Sequence, residues 1–490
     1  MSRLTTLRSL LLGVAVTACS QSSMVYKSDA PSDAAPARDG GDVDDAAAPR
    51  RMDGGVPDAS DRRDAALGQD AQPGLDGATA ADGRVSLDAA ADADVDAAPS
   101  APDAAADAAP SVTDGGMPSV RLPRNVIVFM GDGMGAAQLE TGRVFKGGRL
   151  RLDAMHGPGF VVTDSLTTLR STSPNPPATD SAAAATAIAT GVLVGNGVLS
   201  VAPDGAPLRT VLEECKDAGK AVGLITTTYF YDASPAAFAS HRPSRSQRVE
   251  IAREILEVAQ PTVLMGNGSS VFDNPANDLQ TVADAAGYEV VRDASGLSAF
   301  QPAADARLLG LFTTDFEPAT AGSEPFTMTP ALERTATTAD PTFAVMTARA
   351  IEQLSLDPDG FFLFAEDELF DEMGHRGPAE VAWANRAFGP QAAAFDDAVA
   401  VAIDWVIAHS SLDETLVVVL ADHETGGYHF DSTLGPVSGV FDASRSCGAY
   451  LCGYHTRTRV PVYALGPGSE QLDQLVDHTS THRLLLGQLR

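Results

Sequence analysis

Five continuous apolar runs, each long enough for one strand, set the first constraint on the fold: residues 125–130, 221–226, 261–265, 360–364 and 415–420. They are bounded by turn residues and do not alternate with polar positions, which is the pattern of strands covered on both faces. Helical patterns fall between them, at 208–218, 248–259, 346–354 and 390–409. That alternation predicts an α/β fold with a mostly parallel central sheet flanked by helices on both faces. In such sheets ligands bind beyond the carboxyl ends of the strands. Each run is followed within a few residues by acids, His or Ser.

No such run occurs before residue 125, and composition says why. Residues 20–120 hold 20 Asp and 26 Ala but a single aromatic, Tyr26, with a local net charge of −13. Too few large apolar side chains are present to offset the cost of ordering a backbone, about 1–2 kcal/mol per residue, so this segment reads as a disordered tether. The folded part is then 121–490, one large domain with a net charge of −20 out of the chain's −31. So acidic a surface excludes nucleic acid as a specific partner, and a phosphorylated ligand needs a local cationic site.

Residues 1–19 read as a secretory leader, with Arg3 and Arg8 ahead of an apolar stretch at 10–16 that is too short to span a bilayer. The leader ends Val16-Thr-Ala-Cys19, which resembles the lipobox of bacterial lipoproteins; a plain signal peptide with a chance Cys is the alternative. On the lipobox reading Cys19 is lipidated and anchors the chain to a membrane. Ser20 in place of Asp resembles the outer-membrane sorting class, so the domain is expected outside the cytoplasm, in the periplasm or at the cell surface. Cys447 and Cys452 can close a small disulfide loop in such an oxidising compartment, with a zinc knuckle as the weaker alternative. Cys215 falls on a helical pattern and is expected to be a buried thiol.

The chemistry-bearing segments follow the strand runs. Gly131-Asp-Gly-Met-Gly135 with Ala136 satisfies a dinucleotide-binding pattern, but Asp132 would face the pyrophosphate, and an acid at a strand end is a good ligand for a hard metal. Thr179-Asp-Ser181 opens an Ala-rich helix, where either Asp180 or Ser181 can cap and the Ser181 hydroxyl can act as a nucleophile toward phosphate. A hydroxyl is a weak nucleophile, and a metal can lower its pKa. Glu366, Asp371 and His375 follow the fourth run, with Asp371 and His375 spaced to share one helix face and one zinc. Asp422-His423 follows the fifth run, and His455 precedes a further strand.

Taken together these segments resemble the alkaline phosphatase family: GDGMG after a strand, T-D-S-A-A-x-A-T-A, E-x4-D-x3-H, A-D-H-E-T-G-G and G-x-H-T-x3-V-P-V-Y-A-x-G-P-G-S-E, in this order from about residue 125 to 470. The resemblance implies a three-layer fold and hydrolysis of phosphate monoesters through a phosphoserine on Ser181. It implies two zinc ions and one magnesium per chain. Asp371, His375 and His455 look like the ligands of the first zinc, and Asp422 and His423 like those of the second. Asp132 would bridge the second zinc and the magnesium, which Asp232, Ser234 and Glu366 complete. Arg245 matches the arginine that grips phosphate, with Arg242 a nearby competitor. Family members are often homodimers.

Two positions depart from the family pattern. Asp367 stands where a Gly is usual, and Glu372 replaces a Lys, His or Trp that contacts phosphate through water. The second change is expected to weaken phosphate binding. Rival readings are a phosphodiesterase or sulfatase of the same superfold and a non-catalytic metal-binding surface protein; Ser181-Ala-Ala-Ala-Ala lacks the x-Pro-x-Arg that a sulfatase would carry.

Overall fold

The computed structural model describes residues 122–314, 326–376, 381–430, 439–441 and 454–489. The leader 1–19 with Cys19, the tether 20–120 and the Cys447–Cys452 pair lie outside them.

The strands are β1 (Asn125–Gly131), β2 (His156–Val161), β3 (Ala221–Tyr229), β4 (Val263–Asn267), β5 (Tyr288–Val291), β6 (Arg307–Leu311), β7 (Phe361–Asp367) and β8 (Thr415–Leu420). After them come β9 (Glu424–Thr425), β10 (Tyr428–Phe430), β11 (Gly439–Phe441), β12 (His455–Thr456) and β13 (Val460–Leu465). Nine of these form one sheet, in the order β2-β13-β8-β1-β7-β3-β4-β6-β5. From β8 to β5 all neighbours are parallel, and β13 and β2 close one edge antiparallel. The five apolar runs occupy five adjacent central positions, β8-β1-β7-β3-β4.

Helices that shape the site are α1 (Ala136–Phe145), α2 (Ser181–Thr190), α3 (Val211–Asp217), α4 (Ala233–Ala239), α5 (Phe343–Leu354), α6 (Leu369–Gly374), α7 (Val381–His409) and α8 (His478–Leu485). Side chains alternate across a strand, and β7 shows both faces in use. Phe361 packs edge-on against Trp405 of α7, whereas Phe362 and Phe364 pack against Phe238 of α4. On the first face Phe129 also meets Phe343 of α5 and Phe395 of α7, with α1 beside α7. On the second, α2 lies against α4 and α8. Cys215 of α3 is fully buried, and burial pushes its thiol up to about 12.

Two predicted helices shift at their starts by three residues, from 208 to Val211 and from 346 to Phe343, and a third differs by more. The expected start at Pro390, where a missing N–H costs nothing, is overridden: α7 begins at Val381 and carries the proline inside. Ala384, Ala387 and Phe388 are fully buried upstream of it, so packing holds the earlier turns in helix despite one lost hydrogen bond.

Register places the carboxyl ends of the central strands side by side. Gly131 pairs with Asp367, Met130 with both Glu366 and Leu420, and Thr226 with Glu366. At the opposite pole, Leu122, Lys220, Asp359, Glu414 and Leu489 line one hollow around the strand starts. Gly360 enters β7 there with φ +91, and a Cβ at this position would lie 2.0 Å from the Arg124 carbonyl oxygen. Gly147 has a similar φ of +81 but open space. Each Gly→Ala change should cost about 1–2 kcal/mol of backbone strain, and Gly360→Ala should cost clearly more because the clash is added. Thermal denaturation of the two variants checks this difference.

Candidate active site

The loop before α2 and the helix itself fix the serine. Asp180 takes the N-cap position, its Oδ1 accepting the Ala183 N–H at 3.1 Å, so the sequence alternative resolves with Ser181 as the first helical residue. Ala182 through Ala185, Ala187, Ile188 and Ala189 are buried, and this small-residue surface lets α2 sit close to α4. Ser181 is 4% exposed, with its Oγ 3.3 Å from Nε2 of His423.

Imidazoles and carboxylates converge beside it. His375 Nε2 lies 3.1 Å from Asp371 Oδ2 and 3.2 Å from His455 Nε2, and His455 Nε2 lies 3.5 Å from Asp371 Oδ1. The rings of His423 and His455 stack at 3.6 Å, so Asp371, His423 and His455 also form a compact set. Remote hydrogen bonds fix the nitrogen that each ring presents. His455 Nδ1–H donates to the Thr179 carbonyl at 2.9 Å, leaving Nε2 as the lone pair. His423 Nδ1–H donates to Thr425 Oγ1 at 3.2 Å, and the Thr425 hydroxyl donates in turn to Asp371 Oδ1. Burial and the neighbouring His423 push His455 down to about 3. Burial would raise Asp371, but His375, His455 and His423 outweigh it and hold the carboxylate well below its usual range.

A second set joins Asp132, Asp422 and His423, all fully buried. Asp422 Oδ1 accepts the N–H groups of His423 at 2.8 Å and Gly133 at 3.1 Å. Gly133 is required by its φ of +70 and because a Cβ would meet Thr425 Oγ1 at 2.8 Å. Asp422 Oδ2 stands 3.0 Å from His423 Nε2 without hydrogen-bond geometry, as two ligands of one point would. A third set joins Asp132, Glu366 and Glu368. Ser234 donates to Asp132 Oδ2 at 3.4 Å, and Thr226 to Glu366 Oε2 at 2.5 Å. Burial, then the facing carboxylates of Asp422, Asp371 and Glu366, raise Asp132 well above its ordinary range, and burial pushes Glu366 up to about 8.

These sets fit metal ions on their own evidence. Asp132 Oδ1, Glu366 Oε1 and Asp422 Oδ2 are buried carboxylate oxygens that accept no hydrogen bond. Buried anionic oxygens are otherwise paired or protonated. Two of the sets contain imidazole and suit zinc, while the third is all oxygen and suits a hard cation.

The two arginines separate clearly. Arg245 reaches the site, 2.9 Å from Asp232 Oδ1 and 3.5 Å from Asp180 Oδ2, whereas Arg242 pairs with Glu254 at 2.7 Å. Asp232 lies near Glu366, but its carboxylate is engaged by Arg245, the Ala233 N–H and the Thr228 hydroxyl. Both departures from the family pattern have local partners. Asp367 accepts from Gln391 at 2.7 Å, Thr227 at 3.2 Å and the Leu369 N–H at 3.2 Å, and burial pushes it up to about 6. Glu372 accepts the Thr327 hydroxyl at 2.6 Å and its N–H at 3.3 Å. Sequence reasoning missed Thr425 and Glu368. Thr425 stood inside the A-D-H-E-T-G-G segment without a signal of its own, and Glu368 was one acid in a run.

The sequence model of the family described as alkaline phosphatase matches residues 123–448. Alkaline phosphatase 4 of Bacillus subtilis is 29% identical over 437 residues, covering 75% of this chain and 89% of the relative. Streptomycin-6-phosphate phosphatase of Streptomyces griseus is 31% identical over 421 residues, covering 73% and 88%. The crystal structure of Thermus thermophilus alkaline phosphatase shares the fold with a TM-score of 0.60 at 24% identity, covering 75% of this chain and 92% of that one.

The Thr425 hydroxyl links two candidate ligands through one atom. Replacing it with the isosteric Val should leave the fold intact and weaken metal retention by roughly 10–100-fold. Metal content after dialysis against graded chelator measures this.

Proposed function

The chain belongs to the alkaline phosphatase family and is a metal-dependent hydrolase of phosphate monoesters; from that premise we propose which of its residues carry the reaction. Ser181 is the nucleophile. The observation that carries the assignment is its Oγ, 3.3 Å from His423 Nε2 at the amino end of α2, where His423 also faces Asp422 and Asp132.

Asp371, His375 and His455 would hold one zinc, and Asp422, His423 and Asp132 a second. Asp132, Ser234 and Glu366, with Asp232 nearby, would hold magnesium. When bound, these ions lower the pKa of the Ser181 hydroxyl, neutralise the carboxylates and stabilise charge on the entering and leaving oxygens. The amino end of α2 adds a favourable dipole for a phosphate group. Arg245 offers two parallel N–H donors to phosphate oxygens, and Asp180 and Asp232 hold its guanidinium in place. As Ser181 Oγ forms its bond to phosphorus, the ester P–O bond breaks and the alcohol leaves. Water then cleaves the phosphoserine, releasing inorganic phosphate and restoring the hydroxyl.

The reading extends to the rest of the chain. The lipobox-like end of the leader supports lipidation at Cys19, and the Asp/Ala-rich 20–120 segment supports a tether with a reach of roughly 50–60 Å. The domain would then work outside the cytoplasm, on a bacterial and preferentially outer membrane.

Three experiments test these assignments. Chromogenic phosphate monoester, diester and sulfate ester are assayed side by side with and without chelator. The monoester should be hydrolysed fastest and chelator should abolish turnover. Ser181→Ala should lower kcat by at least about a thousandfold with the metal content unchanged; loss of metals together with activity would mean that the serine is structural. In a cell expressing the full chain, Cys19→Ser should move activity from the membrane fraction to the soluble one. Activity that stays with the membrane rules out the anchor.

A further inference from the structure

Glu368 has no part in the assignments above, although it stands beside them. It occupies the N-cap position of α6 with helical angles, φ −74 and ψ −17, yet its side chain caps no amide of that helix. Its backbone N–H donates to Thr227 Oγ1 at 3.0 Å, which ties the turn to β3. The carboxylate instead meets Asp132 and Glu366, with one oxygen from each of the three within 4.8 Å of the others.

A second observation points into the same space. Asp132 Oδ1 and Glu366 Oε1, on fully buried side chains, accept no hydrogen bond. Arg245 interacts electrostatically with Glu368, but its guanidinium is already shared by Asp232 and Asp180. Three carboxylates turned toward one another in this way are relieved either by protons or by a cation between them, and the two buried oxygens that accept no hydrogen bond favour the cation. All their donors are hard oxygens, and the Ser234 hydroxyl stands 3.4 Å from Asp132 Oδ2. By contrast, each of the other two sets contains imidazole.

We propose that Glu368 is a direct ligand of the oxygen-lined cation site, so that this chain grips its third cation through three carboxylates. The proposal rests on the three-cation reading above. Magnesium is ordinarily held by one or two carboxylates and keeps several waters. A third carboxylate supplies negative charge where a neutral water would sit. The site therefore retains magnesium at lower free concentration and also accepts manganese or calcium, which suit a denser oxygen shell.

The test loads the full chain and its Glu368→Gln and Glu368→Ser variants with zinc, then measures zinc content and magnesium affinity by equilibrium dialysis with elemental analysis. Zinc should stay at the parent level in all three, and both variants should bind magnesium at least about tenfold more weakly. Equal or tighter magnesium binding in the variants overturns the role of Glu368 while leaving the three-cation reading in place. A parent that binds zinc but no further cation overturns both. Joint loss of zinc and magnesium in the variants also counts against the proposal, because it marks Glu368 as a support of the whole centre. The Gln variant keeps the side-chain volume, so selective loss of magnesium cannot come from a packing defect.

Discussion

Carboxylates that face one another in a buried space repel, and the carboxyl end of this sheet holds several. With ligand atoms within 4.8 Å of one another and an effective dielectric of 20, each like-charged pair costs at least about 3 kcal/mol. Such a cost is tolerable only if protons or cations intervene, and the surrounding architecture suits cations. Parallel strands in register deliver Asp132 and Glu366 to one edge, and the turn after β8 adds Asp422. Hydrogen bonds donated to the Thr179 carbonyl and the Thr425 hydroxyl oxygen hold His455 and His423 with their Nε2 atoms inward. The serine, the arginine and the flanking helices are arranged around that point.

The extra acids of this chain are absorbed in different ways. Asp367 turns back from the centre to Gln391 of α7 and Thr227 of β3, so it fastens the end of β7 to the helical layer on one side and to its neighbour strand on the other. Glu372 is taken up by the Thr327 hydroxyl and N–H, a contact that joins α6 to the segment before α5. The net charge of −20 over the folded part therefore overstates what an approaching phosphate meets, because part of it is already committed to donors or to candidate metal positions.

The central strands were legible because strands buried on both faces must be apolar throughout. That signal fades toward the edges. β2 reads His-Gly-Pro-Gly-Phe-Val and is mostly exposed, and β5 has four residues with Glu289 turned outward, so neither presents a continuous run. The start of α7 was misread for a related reason: Pro390 is a strong local signal, but the burial of Ala384, Ala387 and Phe388 belongs to tertiary packing. At the site, the motif residues were found where chemistry restricts the residue type. Arg245 and Arg242 could be told apart only by their partners, Asp232 and Glu254. Thr425 and Glu368 were missed because a hydroxyl that orients an imidazole, and one acid among several, carry no pattern along the chain.

The hollow at the strand starts has a bearing on how the domain can be mounted. Leu122 and Leu489, the first and last described residues, both line it. β1 then crosses the sheet for seven residues, roughly 23 Å, before reaching Asp132. Both ends of the domain are therefore on its back, and the reacting end is its front. A carrier, a surface or a fused protein joined at either of these two ends meets the domain from behind, leaving the mouth of the site turned away from it.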